Sequence, residues 1–249
     1  MLLTLLQSGY AAKSDMVSNL TTSEAMVMVI VIAIVGFIVQ SRLRSVFAKY
    51  SREMLPGGMT GAEIAERMLR EHNIHNVRIT HVGGSLTDHF NPATLTVNLS
   101  DDVYSGRSIA AAAVACHECG HAIQHAQGYA PLRLRSALVP IVSFSSRIAP
   151  WLVIIGLLLT ASTRSDTLCW VGVGLMAVSA LFSIVTLPVE YNASQRALEW
   201  LESSHTLNAK EMEGARISLR WAARTYLVAA LSAIASILYY VALISNRRN

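Results

Sequence analysis

The chain has 249 residues, of which 53% are hydrophobic and 14% are charged, and its formal net charge is +4. With a mean hydropathy of +0.42 and a pI near 9.1, it is too apolar for an ordinary soluble domain of this length. The composition predicts an integral membrane protein. No nucleic acid partner is expected, because low-complexity nucleic-acid signatures and aromatic RNA-binding motifs are absent.

Four apolar stretches predict membrane-spanning helices. The third and fourth contain the roughly 20 apolar residues that a bilayer core requires, whereas the first two need their flanking residues to cross. No cationic leader or small-residue cleavage site accompanies the first stretch, so we interpret it as a retained anchor. The stretches are Ala25–Val39, Ile148–Ala161, Leu168–Val189 and Tyr226–Ile244. The short apolar run Met1–Leu6 is left unassigned.

These stretches divide the chain into alternating membrane and polar segments. The predicted order is an N-terminal tail (1–24), a first transmembrane helix (25–40), a polar domain (41–147), the second and third transmembrane helices (148–189), a polar helix with its connection (190–225) and a fourth transmembrane helix (226–245). The expected fold is therefore mainly α, a multi-spanning helical membrane protein with one mixed domain.

The polar domain begins with a helix and a small β structure. Thr60 and Glu63 have capping-box spacing, which predicts a helix that runs to about His72. Alternation then predicts strands, two of which form a hairpin around an Asn-Pro turn. The predicted strands are Val77–Val82, Leu86–His89 and Leu95–Leu99.

The alanine-rich run Ser108–Ala126 follows and predicts a helix that ends before Gly128. Residues 117–121 of this run read His-Glu-Cys-Gly-His. On a helix, this spacing places two imidazoles on one face with a carboxylate beside them, which is the signature of zinc hydrolases. The pattern predicts that His117 and His121 bind Zn²⁺ and that Glu118 acts as a general base on a zinc-bound water.

A third metal ligand has to come from another part of the chain. The extended form of the motif, which has a third histidine six residues after the second, does not occur, because that position is Gln127. His125 lies one turn beyond His121, and three successive turns of a straight helix cannot converge on one ion. Glu190 is the better candidate: it follows Pro188 at the aqueous edge of the third span, where a second polar helix is expected to begin. Glu199 and Glu202 are weaker alternatives on the same helix.

Several motifs in the polar segments resemble those of the bacterial neutral zinc metallopeptidases of the YugP type. The resemblance runs in order, with similar spacing, from about residue 39 to residue 243. The segments that carry it are Thr60–Ala65, Leu86–Phe90, Leu99–Ser108, His117–Gln124, Gly128–Pro140 and Leu187–Ser194.

The resemblance implies a membrane-bound, gluzincin-like zinc peptidase that acts on peptides or proteins and is distantly similar to the HtpX and CAAX prenyl proteases. It implies that His117, His121 and Glu190 are the zinc ligands and that Glu118 is the base. Two positions depart from the pattern. Cys119 replaces a residue that is usually apolar, and Ser194 stands where the HtpX group has an aspartate.

Ser194 leaves open which residue orients a metal ligand, and Asn192 and Arg196 are the nearest candidates for this role. Arg196, Tyr129 and His89 are candidates for a donor to the oxyanion. An exposed edge of the predicted hairpin would pair with an extended peptide.

The three cysteines are expected to pack in the interior of the protein, and no disulfide framework is expected. Cys116 and Cys119 form a C-x-x-C pair, which could indicate thiolate ligation or a redox couple. On a helix Cys119 points roughly 160° away from His121, so a zinc ion bound by both thiolates and both imidazoles is sterically unfavourable, and structural packing is expected. Cys169 lies within the third predicted span.

Charge asymmetry predicts the orientation in a bacterial inner membrane. Arg42, Arg44, Lys49 and Arg52 follow the first span and the third connection is also basic, against Arg164 alone between spans two and three. The positive-inside rule places the zinc site in the cytoplasm, with Arg247 and Arg248 as exceptions. Two alternatives stay open: an intramembrane protease and a non-catalytic zinc-binding scaffold. The oligomeric state is not predicted.

Overall fold

The computed structural model describes residues 20–163 and 165–246. The run Met1–Leu6 and the cations Arg164, Arg247 and Arg248 lie outside the described residues. In chain order the elements are α1 (Thr22–Tyr50), α2 (Gly61–Glu71), β1 (Arg78–Val82), β2 (His89–Asn91), β3 (Thr96–Ser100), α3 (Asp101–Tyr104), α4 (Ile109–Ala126), α5 (Ala130–Thr163), α6 (Thr167–Ser203) and α7 (Ala209–Ser245). The prediction of a mainly α fold with a small sheet is confirmed.

Four of these helices, α1, α5, α6 and α7, are long and apolar enough to cross a membrane. Many of their large hydrophobic side chains are exposed, among them Phe37 at 77% and Leu158 at 72%. Such exposure would be costly in water and is expected where lipid tails are the solvent. The four predicted spans are therefore confirmed as candidate transmembrane helices.

The helices around the spans are longer than the sequence predicted. We expected a second polar helix to begin near Glu190, but α6 continues without a break from Thr167 through Pro188 to Ser203. Likewise α5 contains Pro140 and Pro150 in its interior. Proline removes one backbone hydrogen bond and crowds the preceding turn, but a long apolar helix tolerates this when neighbouring groups satisfy the freed carbonyl. The prediction of a helix boundary at Pro188 was wrong.

The contacts divide the chain into two compact units. The first, which we call the apolar unit, consists of the described residues within Met1–Phe37, Ala137–Ile184 and Val228–Asn249. The second, which we call the mixed unit, consists of Ile38–Ser136 and Val185–Leu227. Each of the four long helices contributes residues to both units.

The mixed unit contains the three-stranded sheet, in the order β1-β3-β2. β1 runs parallel to β3, with Ile79 opposite Val97, and β2 runs antiparallel to β3, with Phe90 also opposite Val97. β2 is thus an edge strand. The hairpin was predicted with its first strand at Leu86–His89, but Leu86 has a φ of 58°, which no extended strand adopts, and the strand begins only at His89.

Helices α2 and α4 supply most of the core that covers the sheet. The predicted capping box at Thr60 and Glu63 is present and begins α2, which buries Ile64 and Met68 completely. Ser108 caps α4 by accepting a hydrogen bond from the Ala111 N–H. Because α4 is buried along nearly all its length, its alanines suit a helix that is packed on every side.

Gly120 sets the distance between α4 and α6. A Cβ atom at this position would lie 2.6 Å from the carbonyl oxygen of Ala193 and 3.0 Å from its Cα, both of them backbone atoms of α6. Only glycine permits this approach. The close contact lies one residue from His121 on α4 and one residue from Ser194 on α6, so it brings the candidate ligands of both helices together.

Candidate active site

Three candidate metal ligands converge where α4 meets α6. The Nε2 atoms of His117 and His121 lie 3.2 and 3.5 Å from the same oxygen, Oε2, of Glu190. The ligand atoms of the three residues lie within 4.8 Å of one another. Both His121 and Glu190 are buried, and Glu190 is only 1% exposed. Two imidazoles and one carboxylate facing a common point could hold a metal ion, and the same set of donors occurs in catalytic zinc sites.

Glu118 is buried on the same helix, beside His117. Burial raises the pKa of the Glu118 carboxyl to about 7, and the nearby charges of Glu190 and Asp88 act in the same direction. Its Oε2 accepts a hydrogen bond of 3.0 Å from the backbone N–H of Phe90 in the edge strand β2. A carboxyl group that binds and releases a proton near neutral pH suits general acid and base chemistry.

His121 is oriented by an amide network. Its Nδ1 lies 3.1 Å from Oε1 of Gln124, one turn further along α4. The Gln124 amide nitrogen donates to the carbonyl of Val189 and to Oδ1 of Asn192, which flank Glu190 on α6. Because an amide nitrogen can only donate, these contacts fix the amide orientation, so Oε1 accepts from Nδ1–H and leaves Nε2 of His121 free to bind a metal.

His117 has a simpler partner. Its Nδ1 lies 3.1 Å from the hydroxyl of Ser194 on α6. Ser194, where the HtpX-type pattern would place an aspartate, therefore still contacts a candidate ligand. A hydroxyl that accepts from Nδ1–H selects the same tautomer that a carboxylate would select, although it carries no charge.

One residue that the sequence analysis missed lies at the other oxygen of Glu190. Nη2 of Arg135, on α5, lies 3.6 Å from Oε1 of Glu190, whereas the two histidines face Oε2. Arg135 belongs to no metal or nucleophile motif, and an arginine near a predicted span is normally explained by the membrane boundary.

The other predicted residues have local partners. Arg196 donates through Nε to Asn192, so both join the network around Gln124. His89 contacts the Thr87 carbonyl and Asn98 through its two ring nitrogens, and Tyr129 donates its backbone N–H to Gln124 at the end of α4. The ring of His125 packs against Phe90, and Glu199 accepts a hydrogen bond from Gln195.

The cysteines are free and buried. Burial raises the pKa of the Cys119 thiol, and its Sγ is directed at the Ala65 carbonyl, 3.6 Å away. Neither Cys116 nor Cys119 belongs to the group of candidate ligands, which among the described residues contains only His117, His121 and Glu190.

The fold and this cluster define a class: a helical membrane protein with a zinc hydrolase motif and, on a later helix, a glutamate that is a candidate third donor. The family described as "Putative neutral zinc metallopeptidase" matches residues 25–245. The chain belongs to this family. It is also 40% identical, over 214 residues, to "Putative membrane protease YugP" of Bacillus subtilis (strain 168), covering 86% of this chain and 93% of that protein. No solved structure matches the chain.

Proposed function

We propose that this protein is a membrane-bound zinc endopeptidase, in which His117, His121 and Glu190 hold the metal and Glu118 is the general base. The observation that supports this most directly is the convergence of both imidazole Nε2 atoms on Oε2 of Glu190, next to a buried carboxyl group. The family and the relative both carry peptidase names, which supports the same assignment.

Bound zinc would supply Lewis acidity, lowering the pKa of a water molecule to about 7 and polarising the scissile carbonyl. Glu118 would accept the proton of the attacking water and later deliver it to the leaving amine as the C–N bond breaks. Ser194 and Gln124 would keep the two histidines in the tautomer that leaves Nε2 free.

The edge strand β2 is the proposed binding element for an extended peptide. The Phe90 N–H points away from β3 toward Glu118, so backbone groups on this side of the strand lie beside the proposed base. A cavity of about 660 Å³ lies next to the start of β2 and is lined in part by Leu86, Asp88 and Ala111. Pairing through backbone groups would give sequence-tolerant cleavage, suited to unfolded or membrane proteins. Proline at Phe90 should then raise KM or abolish cleavage, and unaltered cleavage would exclude β2 as the binding element.

We assign the peptidase to residues 41–147 and 190–225 and the membrane anchors to residues 25–40, 148–189 and 226–245. We also propose that the zinc site faces the cytoplasm of a bacterial cell, because Arg42, Arg44, Lys49 and Arg52 follow the first span. Reporter fusions after residue 55, at residue 165 and after residue 246 would test this topology. Cytoplasmic labelling at residue 165 would overturn it.

The deciding experiment compares three purified full-length proteins: wild type, Glu118→Gln and Glu202→Gln. Glu202 is an exposed glutamate on α6 and serves as the matched control. We expect one zinc per chain in all three and cleavage of an unfolded membrane protein by wild type and Glu202→Gln only. Equal cleavage by Glu118→Gln would end the peptidase assignment, and zinc without cleavage in any of the three would indicate a non-catalytic scaffold.

A further inference from the structure

The cavity next to the start of β2 lies close to the proposed base. Its volume is about 660 Å³, and two buried residues of α4, Ala110 and Ala111, form part of its wall. Asp88 also lines it and comes two residues before Phe90, whose N–H contacts Glu118. Two residues of extended chain span about 7 Å. A peptide paired with β2 would therefore place residues close to its scissile bond in this cavity.

Arginines line the cavity from two parts of the chain. Arg44 and Arg52 come from the end of α1 and the turn after it, and Arg107 shortly precedes α4. Arg107 is engaged, because its guanidinium donates to the Gly58 carbonyl. Arg44 and Arg52 are exposed, and neither takes part in the ion pairs that lysine and arginine form in the described part of the chain. Two cations are thus available to a ligand.

The acidic residues of the cavity are fewer than its arginines. They are Asp88 and Asp102, against three arginines, so the formal charge of the lining is positive. Both carboxylate oxygens of Asp88 already accept hydrogen bonds from Ser100, one from its N–H at 2.7 Å and two from its hydroxyl at 3.0 Å. The charge of the cavity therefore complements a ligand carboxylate better than a ligand cation.

Apolar side chains lie in the same lining. Phe47, Met54 and Leu86 contribute to it, and Met54 and Leu86 are 61% and 56% exposed. Apolar surface beside free guanidinium groups suits a carboxylate that is carried on methylene groups, as in a glutamate side chain. An anionic lipid headgroup has the same charge, but the wall formed by α4 and the nearness of Asp88 to the proposed base favour a peptide.

We propose that this cavity binds acidic side chains of the substrate and that Arg44 and Arg52 determine specificity for them. The preferred substrates then carry Glu or Asp within about three residues of the scissile bond, given the rise of an extended chain. The preference should be found on one side only: C-terminal to the scissile bond if the peptide runs antiparallel to β2, and N-terminal if it runs parallel. This specificity rests on the proposed peptidase function.

The test compares three purified, zinc-loaded, full-length proteins: wild type, Arg44→Gln/Arg52→Gln and Arg42→Gln/Lys49→Gln. Arg42 and Lys49 are exposed cations of α1 that do not line the cavity. Both double variants lose two positive charges, so effects of overall charge and membrane orientation are shared. The substrates are pairs of peptides with Glu or Gln at one position, moved along both sides of a single scissile bond.

Wild type and Arg42→Gln/Lys49→Gln should cleave the best Glu peptide with a kcat/KM about tenfold above that of its Gln partner, as expected for hydrogen bonds to a charged group. In Arg44→Gln/Arg52→Gln this ratio should fall to about twofold or less, while cleavage of the Gln peptide and zinc content stay as in wild type. The ratio in wild type should also fall as the salt concentration rises. Equal ratios in all three proteins, or no Glu preference at any position, would overturn the proposal.

A second readout does not depend on turnover. Glu118→Gln, with and without the Arg44→Gln/Arg52→Gln changes, binds labelled peptides without cleaving them, and fluorescence anisotropy should show the same Glu preference only when both arginines are present. Preferential binding of the Glu peptide without any cleavage by wild type would end the peptidase function and leave the binding site standing. Cleavage without Glu preference would remove only the specificity. Smaller retention of phosphatidylglycerol by Arg44→Gln/Arg52→Gln than by the control, with no Glu preference, would overturn the proposal in favour of a lipid headgroup.

Discussion

The apolar unit and the mixed unit fold against different surroundings. In the apolar unit, Phe37 and Leu158 expose most of their surface, and the cluster of buried residues centres on Val153 and Cys169. In the mixed unit, Ile64, Met68 and Leu99 are fully buried in one core. The first pattern is that of helices whose outer surface faces lipid, and the second is that of a water-soluble fold.

All candidate site residues lie in the mixed unit, but several of them come from helices that also belong to the apolar unit. Arg135 lies on α5, and Glu190, Asn192 and Ser194 lie on α6. The zinc motif therefore lies on α4, which belongs entirely to the mixed unit, whereas further site residues lie on long helices that contribute to both units. Substitutions at matched positions in the two units can separate effects on the site from effects on the membrane part.

The largest expected effect is that of Glu190→Gln. The amide keeps the shape of the side chain but loses the charge that makes the carboxylate a zinc ligand, so zinc should bind more than about 100-fold less tightly. This loss of affinity exceeds the loss expected when a residue that only hydrogen-bonds to a metal ligand is changed. Competition with a fluorescent chelator measures this. Glu202→Gln, on the exposed face of the same helix, should bind zinc like wild type. A threefold change or less in Glu190→Gln, on the order of measurement error, would remove Glu190 from the ligand set.

Ser194→Ala should have the next largest effect. It removes the acceptor 3.1 Å from Nδ1 of His117, so the imidazole loses its fixed tautomer and orientation. We expect zinc affinity to fall about tenfold, at the low end for such partners because a hydroxyl is uncharged. Ser183→Ala is the matched change in the apolar unit, since that hydroxyl donates to the Ser179 carbonyl on its own helix. Equal zinc affinity in the two variants would show that Ser194 does not support His117.

These partners also show which parts of the site a sequence can predict. The spacing of His117, Glu118 and His121 indicates a helix, and such local periodicity is the feature that a sequence predicts best. Glu190 was predicted because a carboxylate at the end of an apolar run is unusual, and it does lie beside both histidines. Arg135 gave no such signal, because an arginine near a span is normally explained by the membrane boundary.

The fold was predictable to a similar degree. The four apolar stretches and the capping box at Thr60 are local patterns and reappear in the structure. The continuity of α6 through Pro188 was missed, because proline has a low preference for the interior of a helix. Packing against neighbouring helices can override that preference, but the sequence does not show this packing. The parallel pairing of β1 with β3 was also missed, since pairing between distant strands leaves no periodic signal.

Gly120→Ala tests the contact between α4 and α6. The new methyl group would meet backbone atoms of Ala193, which cannot rotate away, so the two helices would have to separate. Overpacking costs about 1–3 kcal/mol, partly offset by about 1 kcal/mol of helix propensity. We expect weaker zinc binding and a lower unfolding midpoint. Gly156→Ala meets Cys169 at 2.7 Å in the apolar unit and should lower the midpoint alone. Loss of zinc in both variants would contradict the separation of the units.

The smallest expected effect distinguishes the capping box at Thr60 from the one at Thr21. Thr60 accepts from the Glu63 N–H at 3.2 Å and begins α2 in the mixed unit, and Thr21 accepts from the Glu24 N–H at 3.2 Å before α1. Thr60→Ala should destabilise the mixed unit by about 1 kcal/mol, the usual cost of a lost cap. Thr21→Ala should loosen only the first turn of α1. In lipid the backbone groups of a helix find no hydrogen-bond partners outside the helix, so the rest of α1 should stay helical.

Thermal unfolding and hydrogen exchange at several pH values measure this difference. The hydrogen bond from the Thr60 backbone lowers the pKa of Glu63, so the stability contributed by this box is present at neutral pH and is lost as the pH falls through that lowered value. Glu63→Ala, which removes this carboxylate, should therefore be less stable than wild type at neutral pH and should approach wild type in stability under acid conditions. A gap between them that stays constant with pH would show that the Glu63 carboxylate contributes nothing to the cap. An equal fall in unfolding midpoint for Thr21→Ala would show that α1 is not held by lipid.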